Sequence, residues 1–121
     1  MIVNGYTIEP YANLAGADLS NVDLTYANLM SANLSDANLA GTNLTEVNLT
    51  YANLMRANLA AACLTDSDLT YANLTEANLT DANLFGASLT RSNLTNADMT
   101  GADVSFADLF KADMTGVIES D

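Results

Sequence analysis

Across residues 12–116 the apolar and polar positions recur every five residues without an insertion or deletion. With the middle residue of each group called i, position i is Leu at every step from Leu14 to Leu94, then Met99, Val104, Leu109 and Met114. Position i−2 is small, usually Ala; position i−1 is usually Asn or Asp; the two positions after i are mostly polar and turn-like. A period of five fits neither regular element. On a helix, at about 100° per residue, leucines five apart advance about 140° each time and scatter over all sides. On a continuous strand, i and i+5 fall on opposite faces. Within one group, however, i−2 and i alternate as in a strand, and the pair that follows turns the chain. A chain that runs briefly, turns and repeats coils on itself. Groups that cannot bury their own apolar side chain must then stack on their neighbours to form a continuous core.

The run over residues 32–46, A-N-L-S-D-A-N-L-A-G-T-N-L-T-E, resembles the pentapeptide-repeat family, whose pattern is a small residue, Asn or Asp, Leu or Phe, Ser or Thr, then any residue. The likeness extends over 21 successive groups, 105 of the 121 residues. The resemblance implies an all-β fold: a right-handed quadrilateral (square) β-helix solenoid of four groups per coil and about five coils, with i and i−2 pointing inward. Leu14, Leu34, Leu54, Leu74, Leu94 and Met114 would form one inner column, and the other three columns start at Leu19, Leu24 and Leu29. With coils about 4.8 Å apart the rod would be about 25 Å long. Departures from the pattern are Cys63 and Ser88 at the Asn/Asp position, Thr42, Ser67 and Ser92 at the small position, and the slightly larger Val22 and Val47.

Residues 1–11 lie outside the register, and Ile2, Val3, Tyr6 and Ile8 give them a β-favouring character before Pro10. They read as an extended N-terminal cap or leader across the first repeats, because the open end of a stacked repeat exposes apolar residues and unpaired backbone groups. Residues 117–121 read as a short C-terminal tail, too short for a stable helix.

Composition narrows the function classes. The length fits one domain, and no apolar run approaches the eighteen or so residues of a membrane span. Met1-Ile2-Val3-Asn4-Gly5 lacks the basic start and apolar core of a secretory signal, so the expected location is cytoplasmic. The single Cys63 makes no internal disulfide. Fifteen acids against three bases give a net charge of −12, which disfavours direct nucleic acid or anionic membrane binding and favours basic protein partners.

Counting groups in fours places the charges on sides. One side carries Asp18, Asp81 and Asp98, and the next carries Asp23, Glu46, Asp66 and Asp103, neither with a base. These seven form a candidate acidic surface. Some proteins of the resembled family look like duplex DNA to type II topoisomerases such as gyrase, though those are typically longer rods with an added C-terminal dimerisation module. Phe85, Phe106 and Phe110 occupy outward positions near the C-terminal end and form a candidate interaction cluster, with a homodimer through it as one expectation. Tyr51, Tyr71, Arg91 and Lys111 share one outward column suited to stacking and cation–π contacts.

No catalytic, cofactor or metal site is expected. The chain has no His to serve as a base, and no cation near Cys63 in sequence to activate it. Asp98, Asp103, Asp108 and Asp113 fall on four successive sides, which spreads them around the rod rather than gathering them at a metal. The sequence reads as a non-enzymatic, rigid, acidic interaction or scaffold module, bacterial by analogy with the family. The alternatives are a DNA-mimic modulator of a topoisomerase and a structural spacer from a longer protein.

Overall fold

The computed structural model describes residues 1–119. Its architecture follows from where each group sends its five backbone N–H donors, as residues 32–36 show. The Ala32 N–H donates back to the Leu29 carbonyl at 3.0 Å, closing a four-residue turn. Asn33 donates to Ala12 of the previous coil at 2.9 Å, whereas Leu34 and Asp36 donate to Asn53 and Met55 of the next coil at 2.7 and 2.9 Å. The fifth donor, on Ser35, is accepted by the Asn33 side-chain Oδ1 at 3.0 Å. Every donor is therefore satisfied, which a half-buried backbone requires. The recurrence of Asn or Asp at i−1 has its cause here, since a short side-chain carbonyl reaches the amide two residues on. The bond is present in 19 of the 21 groups. The exceptions are the groups of Cys63 and Ser88, whose side chains meet the hydroxyls of Thr65 and Thr90 at 3.3 Å.

The residue at i+2 has positive φ in all 21 groups, the sign that a type II turn demands at its third position. Glycine takes that conformation without strain at Gly86, where there is a second reason for it: a Cβ there would lie 2.3 Å from Asp66 Oδ1 of the coil before. Isolated parallel bridges join i−1 residues twenty apart, such as Asn13 to Asn33 and Asn33 to Asn53. Four groups therefore complete one coil, and the body is a right-handed quadrilateral β-helix, as the resemblance implies. Both i and i−2 point inward, and from Leu19 to Leu94 every leucine at i is buried. The four side chains at i fill the section of each coil, and the small residue at i−2 leaves them room.

The two ends differ. At the N-terminal end β1 (Ile2–Val3) pairs antiparallel with β2 (Tyr6–Thr7) across Asn4 and Gly5, both at positive φ, the signature of a two-residue type I′ hairpin. The hairpin carries Ile8, 6% exposed, into the core and lays Val3 and Tyr6 against it. The segment expected to be singly extended is thus folded back, and the Asn-Gly pair is the signal for it. The repeat register also starts one turn before residue 12: Ala12 donates to Glu9 at 3.3 Å and Tyr11 to Met30 at 2.9 Å, with Pro10 fixing the turn's second position. At the other end Val117 donates to Met114 at 3.1 Å, and Ile118 pairs with Asp98 as the next rung would. Of the expected tail, residues 120–121 lie outside the described residues. Among the described residues only Ile118 and Glu119 extend beyond the last coil's first side, so Val104 is 38% exposed and Leu109 and Met114 are half-buried. Among the described residues no helix is long and apolar enough to cross a membrane.

The small inward position tolerates a hydroxyl only where an acceptor is at hand. Thr42 Oγ1 donates to the Leu19 carbonyl and Ser92 Oγ to the Leu89 carbonyl, whereas the Ser67 Oγ, in a residue 2% exposed, has no partner among the described residues. Ser67→Ala is expected to stabilise the fold by about 1 kcal/mol, because it removes a buried group that lost its water on folding. Chemical denaturation of both proteins checks it; an equal or lower midpoint for the alanine variant would contradict the assignment.

Candidate interaction surfaces

The side chains at i−1 and i+1 line the walls, and those at i+2 form four corner columns. Two of these corners are cross-linked by their own side chains. On one, Arg56 Nε donates to Asp36 Oδ1 at 2.9 Å, an exposed pair whose guanidinium holds the Asp36 carboxyl below its ordinary pKa. On another, the rings of Tyr51 and Tyr71 stack with centroids 5.0 Å apart and 4° between planes, and the Arg91 guanidinium lies 5.9 Å from the Tyr71 centroid. Solvent screening keeps the contribution of such exposed pairs small.

The acidic-surface candidates divide into two sets. Asp18, Asp23, Asp98 and Asp103 sit at i−1, where each Oδ1 accepts the backbone amide at i+1. In three of them the same oxygen also accepts a hydroxyl, from Ser20, Thr25 or Thr100. Hydroxyl donors at i+1, with the amide bonds second, hold all four carboxyls below their ordinary pKa. These residues therefore build the turns as well as charging the surface, and the many threonines at i+1 are in large part hydroxyl partners of this bond. Glu46, Asp66 and Asp81 stand instead on the corners. Among the described residues no group of three or more potential ligands gathers as a metal site.

The turn acids set an expected pH response. An unfolded Asp titrates near 3.9, and a folded Asp with a lowered pKa binds its proton only at lower pH. Their contribution is complete above the unfolded value and is lost as pH falls through the folded values, so stability should decline below about pH 4. Replacing Asp18, Asp23, Asp98, Asp103 and Asp113 with Asn keeps the acceptor, as Asn33 already shows. The urea midpoint of that variant should fall less steeply between about pH 4 and pH 2.5 than that of the parent; equal slopes would count against the turn bonds as the cause.

The aromatic candidates are only partly brought together. Phe85 and Phe106 meet edge to face with centroids 5.3 Å apart, whereas Phe110 lies on the adjoining side against Lys111, whose Nζ is 5.4 Å from its ring centre. Phe106 is 85% exposed. The pattern of aromatics alone did not reveal the apolar floor beside them, where Met99, Ala102, Val104, Leu109, Met114 and Glu119 line an open depression on the last coil. Its signal was the change at position i from unbroken Leu to Met99, Val104 and Met114. Cys63 is half-buried, and burial opposes its ionisation; the Thr45 and Thr65 hydroxyls at 3.3 Å outweigh that and bring its pKa below the ordinary thiol value.

A four-sided β-helix with closed walls, a capped end and an open end is a repeat scaffold whose distinguishing chemistry lies on its surface. The Pentapeptide repeats profile matches residues 12–50, 52–91 and 77–116 in 8 copies, and the chain belongs to that family. Among solved structures it is similar to the pentapeptide repeat protein Rfr23 from the cyanobacterium Cyanothece 51142, at 29% identity and a TM-score of 0.87, over 89% of this chain and 88% of that one. It is also similar to HetL from the cyanobacterium Nostoc sp. PCC 7120, a pentapeptide repeat protein involved in heterocyst differentiation regulation, at 32% identity and a TM-score of 0.51. That match covers 93% of this chain but only 63% of HetL. A pentapeptide repeat protein of the Arabidopsis thaliana thylakoid lumen is 30% identical with a TM-score of 0.54, over 81% of this chain and 65% of that one. No curated protein matches the chain.

Proposed function

We propose that the chain is a non-enzymatic interaction module, a rigid acidic rod that engages a basic protein partner through its C-terminal end. The observation that carries this reading is the distribution of exposed apolar side chains. Phe85, Val104, Phe106, Phe110 and Ile118 lie at or beside the last coil, whereas the walls between the ends expose only tyrosines among their large apolar residues. Rigidity follows from the ladder, since each side is hydrogen-bonded to the coil before and after it. A negative net charge of −12 raises the encounter rate with basic partners and lowers it with acidic ones.

A photo-crosslinking side chain placed at position 106, compared with one at position 31 on a corner distant from that end, tests the reading. Position 106 should yield one recurrent protein adduct that position 31 does not, and the identified protein, purified, should bind the parent. Phe106→Ser with Phe110→Ser should weaken that binding by at least about tenfold while leaving the melting temperature within about 3 °C, because both rings are exposed. Equal crosslinking from the two positions, or unchanged binding by the double variant, would overturn it. The two walls without a base support a second reading, an acidic rod standing in for duplex DNA, for which inhibition of DNA gyrase supercoiling would be the evidence.

A further inference from the structure

The open end has a backbone pattern as well as an apolar floor. Throughout the body an i−1 residue pairs with the i−2 carbonyl and the i amide of a single group on the coil before it: Asn53 donates to the Ala32 carbonyl at 2.9 Å and accepts from Leu34 N–H at 2.7 Å. On the last coil Ile118 fills this gap at Ala97 and Met99, and among the described residues the gaps on the other three sides stand empty. The amides of Val104, Leu109 and Met114 and the carbonyls of Ala102, Ala107 and Ala112 have no hydrogen-bond partner among the described residues. An extended segment laid on this edge would meet a donor and an acceptor at the spacing the fold uses elsewhere, the geometry of strand addition.

Charge decides between a second copy of this chain and a different partner. The last coil carries Asp98, Asp103, Asp108 and Asp113 at i−1, one on each side. At the bridging positions no Asp rests on another Asp among the described residues. Asp18 pairs with Asn38, Asp23 with Asn43, and Asp68 with Asn48 and Ser88; Asp98, Asp103, Asp108 and Asp113 pair with Asn78, Asn83, Ser88 and Asn93. Asp98 is also bridged to Ile118, so a second copy docked with the same end would set Asp103, Asp108 and Asp113 against their own copies, with Lys111 as the only base of the last coil on either side. Charged edges are how natural sheets refuse self-pairing.

We propose that the C-terminal coil is a docking edge for an extended cationic segment of a partner protein, in which apolar residues alternate with Lys or Arg. This inference rests on the interaction-module reading and deepens it by naming the partner's chemistry. The segment's backbone fills the gaps at Ala102 and Val104 or at Ala107 and Leu109. Its apolar side chains cover Val104, Leu109 and Met114, and its cations meet Asp103 and Asp108. Alternation matches a strand, whose side chains face the floor and the rim in turn.

The probe is an acetylated, amidated heptapeptide of alternating lysine and valine, with a glutamate-for-lysine peptide as control, titrated into the whole 15N-labelled chain. The lysine peptide should shift the Val104, Phe106, Leu109 and Met114 amides saturably, the glutamate peptide should not, and raising salt from about 20 to about 300 mM should weaken binding at least about tenfold. Asp103→Asn with Asp108→Asn keeps both turn acceptors, so it should leave melting nearly unchanged yet weaken the peptide at least about fivefold. Asp18→Asn with Asp23→Asn, at the capped end, should leave binding unchanged. Light scattering should give a monomer at low salt. Shifts confined to the corners of Asp66 and Asp81 would overturn the docking edge while leaving the module reading intact. A tight dimer at low salt with the last coil protected would overturn it in favour of a second copy. Absence of saturable binding would overturn the edge alone, since crosslinking tests the module separately.

Discussion

Leu54→Ala should lower the unfolding free energy by about 3–5 kcal/mol, against less than about 2 kcal/mol for Leu109→Ala. Leu54 is wholly buried, and so are Leu34 and Leu74 on the coils before and after it. A shortened side chain leaves a cavity there that the surroundings cannot close. Its own amide is fixed to Asn73 at 2.7 Å, and the amides of Leu34 and Leu74 are fixed in the same way to Asn53 and Asn93. The cost of a truncation depends on how far the site relaxes, and a ladder held from both sides relaxes little. Leu109 has the same residue type and the same place in its group, but it is half-buried on a coil with one free face. Denaturant titrations of both variants under identical conditions give the comparison. Equal losses would mean that the open end is covered in solution, and the account of an exposed floor would fail.

Most of the fold was legible because one residue type at one spacing has one physical use in it. Leucine five residues apart excludes helix and continuous strand, and the resemblance then supplied four groups per coil, which the bridges from Asn13 onward show. What the pattern hid were features that depend on a residue's neighbour twenty positions away. Gly86 looks like a free choice until Asp66 Oδ1 is found above it, and Ser67 looks as harmless as Ser92 until its hydroxyl is found without an acceptor. The ring of Asp98, Asp103, Asp108 and Asp113 was visible as four residues on four sides, and was set aside because dispersed carboxylates do not bind a metal. On an end where, among the described residues, Ile118 covers only the Asp98 side, Asp103, Asp108 and Asp113 make a rim of the other three. The hairpin has a different signal: Asn4-Gly5 is a local turn pair that lies outside the period of five.

Deleting Asn53 alone should be more damaging than deleting the twenty residues 52–71. The larger deletion joins Tyr51 to Ala72, so Leu34 meets Leu74, Asn33 meets Asn73, and every later group keeps its place. It removes one coil and, with it, the partnerless Ser67 hydroxyl. Stability in a stacked repeat is approximately a sum of unit and neighbour terms, so a shorter rod with the same caps should melt cooperatively at a modestly lower temperature. Loss of Asn53 removes no coil, but it leaves a side one residue short. The bonds from its amide to Ala32, to its carbonyl from Leu34 and to its side chain from Met55 all disappear. If the chain does not absorb the defect in that side, every inward Leu after it moves to a wall position, because the period of two within a group reverses with a one-residue slip. The expected loss approaches the whole stability of a domain this size, on the order of 5–15 kcal/mol. Deleting residues 52–56, one complete group, is the control: it shortens the chain by five yet keeps the pattern, and should fold with the downstream sides rotated by one place. Circular dichroism and thermal melts of the three deletions decide. If the Asn53 deletion melts within a few degrees of the parent while the twenty-residue deletion does not fold, length rather than register governs this fold.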